Sequence, residues 1–238
     1  MRALAQDGTQ SGGTGGPAPD RVYADLRERI INFDLPPGAT LGRGDLAAHY
    51  GVSQTPVREA LQRLEQDGLI RIFPQSRTVV APIDVRQLNE TQFLRVAVET
   101  EVVRRLAVAP DRDAVLARAG NILQMQRVLA EAGEEMDMFA ELDRSFHLVL
   151  FRAVGMASLH SMLVSRLGHL YRCQRLELPM DGKMQSIVND HQDILDTLAT
   201  GQPELAAAAM QRHFSRTINR IGKLRDVHPE YFTGGEMA

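Results

Sequence analysis

The stretch Gly51–Gly68, GVSQTPVREALQRLEQDG, decides how the first third of this chain folds. Val57, Leu61 and Leu64 recur at helical spacing with Ala60 beside them and make one apolar stripe, while Gln54, Thr55, Arg58 and Gln62 fall largely on the other side. One face is built to pack and the other is free to touch a partner. Thr55 precedes Pro56, whose ring is tolerated at the first helical position, and a residue before proline is pushed out of the α region, so Thr55 is the expected N-cap. Gly68 supplies the stop.

Upstream, Leu41, Leu46, Ala47 and Tyr50 form a second short apolar pattern joined to the first through Gly51-Val52-Ser53. Two short helices across a tight glycine-containing turn make a helix-turn-helix, whose second helix enters the DNA major groove. Leu69 to Phe73 and Thr78 to Ala81 are β-prone and bracket Pro74-Gln75-Ser76-Arg77, the pattern of a small hairpin or wing. Farther out, Arg21 to Phe33 carries Val22, Leu26, Ile30 and Ile31 on one side as a first helix, which Leu35-Pro36-Pro37-Gly38 ends in a turn.

These residues resemble a family. Leu41, Leu46-Ala47, Gly51-Val52-Ser53 and Thr55-Pro56-Val57-Arg58-Glu59-Ala60-Leu61, followed by a hairpin, are similar to the winged helix-turn-helix of GntR-type bacterial transcription regulators. The resemblance covers about Asp20 to Pro82 and implies operator DNA as partner, with Ser53, Gln54, Thr55 and Arg58 at the DNA. Gln54 stands where these regulators commonly have arginine, and its amide pairs naturally with adenine rather than guanine. Arg43 replaces an often acidic residue and Arg77 the usual wing glycine, so both are candidate phosphate or groove contacts.

Charge alone does not advertise this partner. The 238 residues carry a formal net charge of −3, and eight arginines in 20–82 face eight acids. DNA binding must therefore come from local arrangement, with Arg43, Arg58 and Arg77 toward phosphates and the acids turned away. A hydrophobic content of 44% is ample for buried cores, no apolar run is long enough to span a membrane, and Cys173 is the only cysteine. The absence of an apolar leader makes a cytoplasmic protein the expectation. Residues 1–19, rich in Gly, Ser, Thr and Pro, read as a disordered tail.

After Pro82 the texture becomes helical. Helices are expected from Asp84 to about Leu106, from Asp111 or Asp113 to about Ala132, and over Met136–Val154, Ala157–Leu178, Met184–Ala199 and Pro203–Val227. The expected fold is mainly α: a winged helix-turn-helix over 20–82, an all-α bundle of six or seven helices over 83–228, and a tail over 229–238.

Asp143 and His147, spaced i,i+4, lie on one helical face where a carboxylate and an imidazole reach a common metal ion; a polar pair on a solvated face is the alternative. His191 and His213 lie on two further helices. The segments DRSFH, NDHQDIL and MQRH resemble the FCD ligand-binding domain of the FadR-like branch of the same family. That resemblance implies a metal held by Asp143, His147, His191 and His213, and a homodimer. Three imidazoles and a carboxylate suit Zn²⁺, Ni²⁺ or Mn²⁺. Open positions on the ion would take a small carboxylate or sugar-acid effector, with Arg95 as a bidentate partner; an Arg95–Glu99 helix pair is the alternative for that residue. Arg152 and Arg172 are further candidates for the effector pocket.

A His/Asp cluster with open positions is also what metal-assisted hydrolysis uses, which makes an enzyme acting on a small organic acid the rival reading. No separate acid or base motif such as HExxH accompanies it, and the N-terminal winged helix would be unexplained, so the expectation is a regulator and not an enzyme. In a third reading the helical domain is only a dimerisation module with a structural metal.

Overall fold

The computed structural model describes residues 16–74, 76–133, 135–180, 182–218 and 220–233. The chain divides into two compact units, one made of residues 1–84 together with 230–238 and the other of Val85–Pro229. The first fifteen residues, read above as most of a disordered tail, lie outside the described part.

In the first unit α1 spans Ala18–Ile31, α2 Arg43–Tyr50 and α3 Gln54–Gln66, followed by strands β1, Ile70–Phe73, and β2, Arg77–Val80. The strands are antiparallel, with Ile70 opposite Val80 and Phe73 opposite Arg77. Thr40 bridges to Val79, and the Leu41 N–H donates to the Thr78 carbonyl at 2.8 Å, so the linker before α2 lies along the outer edge of the wing. The core is the apolar stripe of α3, with Val57, Ala60, Leu61 and Leu64 packed against Val22, Leu26 and Ile30 of α1, Leu46 of α2, and Ile70 and Val80 of the wing. Gly51 caps α2 at φ 62°, a left-handed conformation in which a side chain is strained.

Two local expectations are corrected here. α3 begins at Gln54 with Ser53 as the capping residue, not Thr55. Pro56 therefore sits inside the first turn, where the backbone N–H it lacks has no intrahelical acceptor, so its presence does not delay the helix. α1 begins at Ala18, because Pro19 is tolerated in the first turn and Asp20 is favoured beside the helix N-terminus.

The second unit holds α4 (Val85–Ala107), α5 (Arg112–Ala132), α6 (Met136–Ala153), α7 (Ala157–Arg166), α8 (Gly168–Glu177), α9 (Lys183–Ala199), α10 (Pro203–Ile218) and α11 (Ile221–Val227). Among the described residues eight helices stand where six or seven were expected, because two long patterns are each divided. Leu167 leaves helical geometry at φ −84°, ψ 11°, immediately before Gly168, whose low helix propensity favours a break there. The second division lies between Ile218 and Ile221. α4 packs on α10, α5 on α6 and α9, and α9 on α10. Phe139, Phe146, Phe151 and Phe214 are fully buried between them.

The segment expected to be a tail, 229–238, is paired in its described part. A 3-10 turn over Pro229–Tyr231 leads to Phe232, which bridges to Ile83 in parallel. The Ile83 N–H donates to the Tyr231 carbonyl at 2.7 Å, and the Thr233 N–H donates to the Ile83 carbonyl at 3.0 Å. The Tyr231 ring stacks on Phe33 at 4.7 Å between centroids, and Phe33 holds a left-handed backbone at φ 65°. Aromatic burial explains why this segment departs from the expectation: Phe232 is 5% exposed.

Since Leu64 is fully buried among three elements, Leu64→Ala should destabilise the first unit by roughly 2–5 kcal/mol. Urea unfolding followed by a probe in that unit measures the loss.

Candidate metal centre and DNA-reading face

Asp143 and His147 project from α6, His191 from α9 and His213 from α10, and their ligand atoms all lie within 4.8 Å of one another. The α6, α9 and α10 apolar stripes bury these helices against their neighbours, and the four polar side chains sit on the buried sides of those helices. All four are buried, and His191 has no exposed surface. Phe146 stacks flat on the His191 ring at 3.9 Å, while Phe214 lies 5.8 Å from His147 and under the Arg95 guanidinium at 4.3 Å.

Each imidazole has an outer partner. The Glu99 carboxylate lies 2.6 Å from His147 Nδ1, and Asp190 Oδ2 lies 3.6 Å from His213 Nδ1. His191 Nδ1 donates to Gln126 Oε1 at 2.8 Å, which leaves the Nε2 lone pair facing the cluster. Burial would raise the Glu99 pKa, but His147 and Arg95 beside it outweigh that and hold the carboxyl at about 2. Burial, reinforced by the cations nearby, pushes His191 well below its ordinary value; burial also lowers His213. Neutral imidazoles are what a metal needs.

The donor set fits a divalent ion. Asp143 Oδ1 and His191 Nε2 lie 3.4 Å apart, both buried and neither hydrogen-bonded. A carboxylate oxygen and an imidazole lone pair facing each other away from water carry a desolvation cost that a shared cation removes.

Arg95 makes the helix pair with Glu99, through Nε at 2.7 Å, and its Nη2 lies 3.0 Å from His147 Nε2. It lines both cavities beside the cluster. Arg152 and Arg172 line neither. Arg152 follows His147 by five residues, about 140° around the helix, and is exposed. Arg172 follows the cavity-lining Tyr171 by one residue, about 100° around α8, and is fully buried. The sequence reading missed Gln126, Asp190, His160 and the lining residues of α9. Gln126 left one signal, a polar residue on the buried Val115, Ala119, Leu123 stripe.

In the first unit Ser53, Gln54, Thr55 and Arg58 are exposed together at the start of α3, Arg43 is exposed at the start of α2, and Arg77 is exposed on the wing over the Phe73 ring. Among the described residues, none of these three arginines has a carboxylate partner. Four of the eight acids are engaged elsewhere. Asp20 accepts from Arg63, Asp25 accepts from Tyr50, Asp67 accepts from Tyr23 at 2.5 Å, and Glu65 accepts from the Ile72 N–H at 2.8 Å. Burial and the adjoining Asp67 push the Tyr23 hydroxyl up to about 12, so it remains a donor.

Comparison with known proteins gives the class. The model for "Bacterial regulatory proteins, gntR family" matches residues 19–80, and the FCD domain matches residues 90–216. An HTH-type transcriptional regulator from an unstable DNA locus of Streptomyces ambofaciens is 33% identical over 211 residues, 89% of this chain and 88% of that one. The transcriptional repressor RspR of Escherichia coli is 26% identical over 91% of this chain and 94% of its own length. The gluconate operon transcriptional repressor of Bacillus licheniformis is 29% identical over 86% and 85%. Among solved structures, E. coli McbR/YncC shares the fold with a TM-score of 0.72 at 22% identity, covering 88% of this chain and 99% of that chain. The chain belongs to the GntR family of bacterial transcription regulators, in the branch that carries an FCD domain. It is a DNA-binding regulator, and its relatives are regulators and not enzymes.

His160, which lines the second cavity, is pushed down to about 4 by burial, and His191 is lowered also. Groups with depressed histidine values bind fewer protons folded than unfolded, so their stabilising contribution is present above about 6.5 and is lost as pH falls toward 4. The melting temperature of metal-stripped protein should therefore fall from pH 7 to pH 5, as calorimetry across that range would show.

Proposed function

We propose that this regulator is a metal-dependent acid sensor that represses a catabolic operon in the cytoplasm. The helical unit holds Zn²⁺, Ni²⁺ or Mn²⁺ through Asp143, His147, His191 and His213, and a small carboxylate or sugar acid binds beside it against Arg95. The unpaired Asp143 Oδ1 facing His191 Nε2 in a fully buried site carries this reading. When bound, the ion supplies a Lewis-acidic point that attracts a carboxylate or hydroxyl oxygen. The chain's own residues do the rest: Glu99 fixes both Arg95 and His147, so the effector-facing cation and one ligand share an anchor. The names of relatives that repress the gluconate operon support repression and a sugar-acid effector.

The first unit reads double-stranded operator DNA through Ser53, Gln54, Thr55 and Arg58 of α3, with Arg43 and Arg77 on phosphates. The protein acts as a homodimer, so that two related α3 helices meet a palindrome. Exposed apolar side chains on the helical unit, Phe93 at 77% and Val128 at 65%, support a partner subunit there. Regulation follows by linkage: the effector must favour one arrangement of the two reading heads over the other.

Arg58→Ala should lower operator affinity by about tenfold, roughly 1–3 kcal/mol for a lost base or phosphate contact, with metal content unchanged; equal affinity at matched salt removes Arg58 from the contact set. His147→Ala with His191→Ala should bring metal content close to zero and abolish the response to acids while operator binding persists. Elemental analysis and fluorescence anisotropy on folded protein read both effects. Full metal occupancy in that double variant would overturn the ligand assignment.

A further inference from the structure

Two cavities flank the histidine cluster, and they differ in chemistry. The smaller, about 240 Å³, is lined by Arg95, Glu99, Asp143 and His147 at the cluster and by Arg144, His160, Tyr171 and an apolar wall of Leu163, Val164 and Leu167 beyond it. The larger, about 370 Å³ with the solvent-open space at its mouth included, is lined by Arg95 and His213 at the cluster and by Lys183, Ser186 and Arg216 away from it. Resting on the acid-sensor reading above, we infer that the effector carries two anionic groups, one carboxylate at the Arg95 end and a second carboxylate or a phosphate at Arg216, Ser186 and Lys183.

Each cation of the larger cavity is already positioned by an acid. Glu99 holds Arg95 through Nε, Glu177 holds Lys183 Nζ at 2.6 Å, and Asp190 lies 3.2 Å from Arg216 Nη2. A guanidinium has five N–H donors and an ammonium three, so one acid contact orients each group without exhausting it. The Lys183–Glu177 pair is buried, at 5% and 0% exposure, which fixes the ammonium in place. Arg216 Nη1 donates to Ser186 Oγ at 3.0 Å, and that hydroxyl keeps its own proton to donate. Donors therefore stand at both ends of the cavity. The smaller cavity is lined by one further arginine, Arg144, whose guanidinium lies over the Tyr171 ring at 5.7 Å beside the apolar Leu163, Val164 and Leu167.

Gln92 adds a requirement between them. Its Nε2 donates to the Phe214 carbonyl at 3.0 Å, which fixes the amide, and its Oε1 is buried without a partner. A buried acceptor on the cavity wall is satisfied by a ligand hydroxyl. The class that fits is a hydroxy acid bearing a second anionic group, either a hydroxy-dicarboxylate or a phosphorylated hydroxy acid.

The test is a calorimetric titration and thermal-shift series on the metal-loaded, full-length protein with lactate, malate and 3-phosphoglycerate. Malate or 3-phosphoglycerate should bind at least tenfold more tightly than lactate, and whichever does so identifies the second anion. Arg216 is 53% exposed, so Arg216→Gln should fold; at matched metal content it should remove most of that advantage and leave lactate binding unchanged. Arg216→Lys should restore part of it. Equal affinity for all three, an advantage that survives Arg216→Gln, or loss of lactate binding in that variant would overturn the inference. If lactate, malate and 3-phosphoglycerate all fail to bind, the acid-sensor reading itself falls and this inference falls with it.

Discussion

Keeping one carboxylate and three imidazoles out of water is the constraint on which the helical unit depends. Each of these groups is expensive to bury alone, and the protein meets that cost by giving every ring an outer partner drawn from a different helix: Glu99 of α4, Gln126 of α5 and Asp190 of α9. Phe146 and Phe214 seal the cluster on two sides. Five helices thus converge on a volume a few ångströms across, and the same contacts that fix the rings fix the bundle. Two of the three partners are carboxylates, which favour cations inside the cluster; the third is a neutral amide, which fixes a tautomer without adding charge.

The DNA-reading unit solves the opposite problem. Over residues 20–82 its eight arginines meet eight acids, so affinity for a polyanion depends on where the acids are spent. Tyr23, Tyr50, Arg63 and the Ile72 amide occupy four of them within the α1–α3 and wing framework, and Arg43, Arg58 and Arg77 are left without acid partners on the exposed ends of α2, α3 and the wing. Tying Asp67 and Asp25 to tyrosine hydroxyls keeps those carboxylates out of ion pairs with Arg43, Arg58 and Arg77.

How much of this was legible in the sequence depends on how local each signal is. The α3 stripe was readable because Val57, Leu61 and Leu64 repeat within one helix, and Asp143 and His147 because their spacing places them on one face. The breaks at Leu167 and after Ile218 were not, since both halves of each pattern keep helical periodicity and tertiary packing chooses where the axis turns. Pro56 does not by itself mark the first helical residue, since any first-turn position lacks an intrahelical acceptor for its N–H, and α3 starts two residues before it. Arg152 and Arg172 stand out in the sequence by charge alone, and rotation about their helices carries them away from both cavities that Arg95 lines. Cavity walls are assembled from distant helices, and no spacing rule in one segment announces them.

The pairing of Ile83 with Phe232 gives the fold a topological order of assembly. Residues 230–233 belong to the DNA-reading unit, yet in the chain they follow the whole of Val85–Pro229. The helical unit is therefore an insertion within the reading unit. On the ribosome, where chains emerge N-terminus first, α1, α2, α3 and the wing are complete long before the segment that stacks on Phe33 and pairs with Ile83 exists. The reading unit is finished last, after the helical unit has been made, so the order of synthesis places completion of the inserted bundle ahead of the last pairing that closes the unit around it.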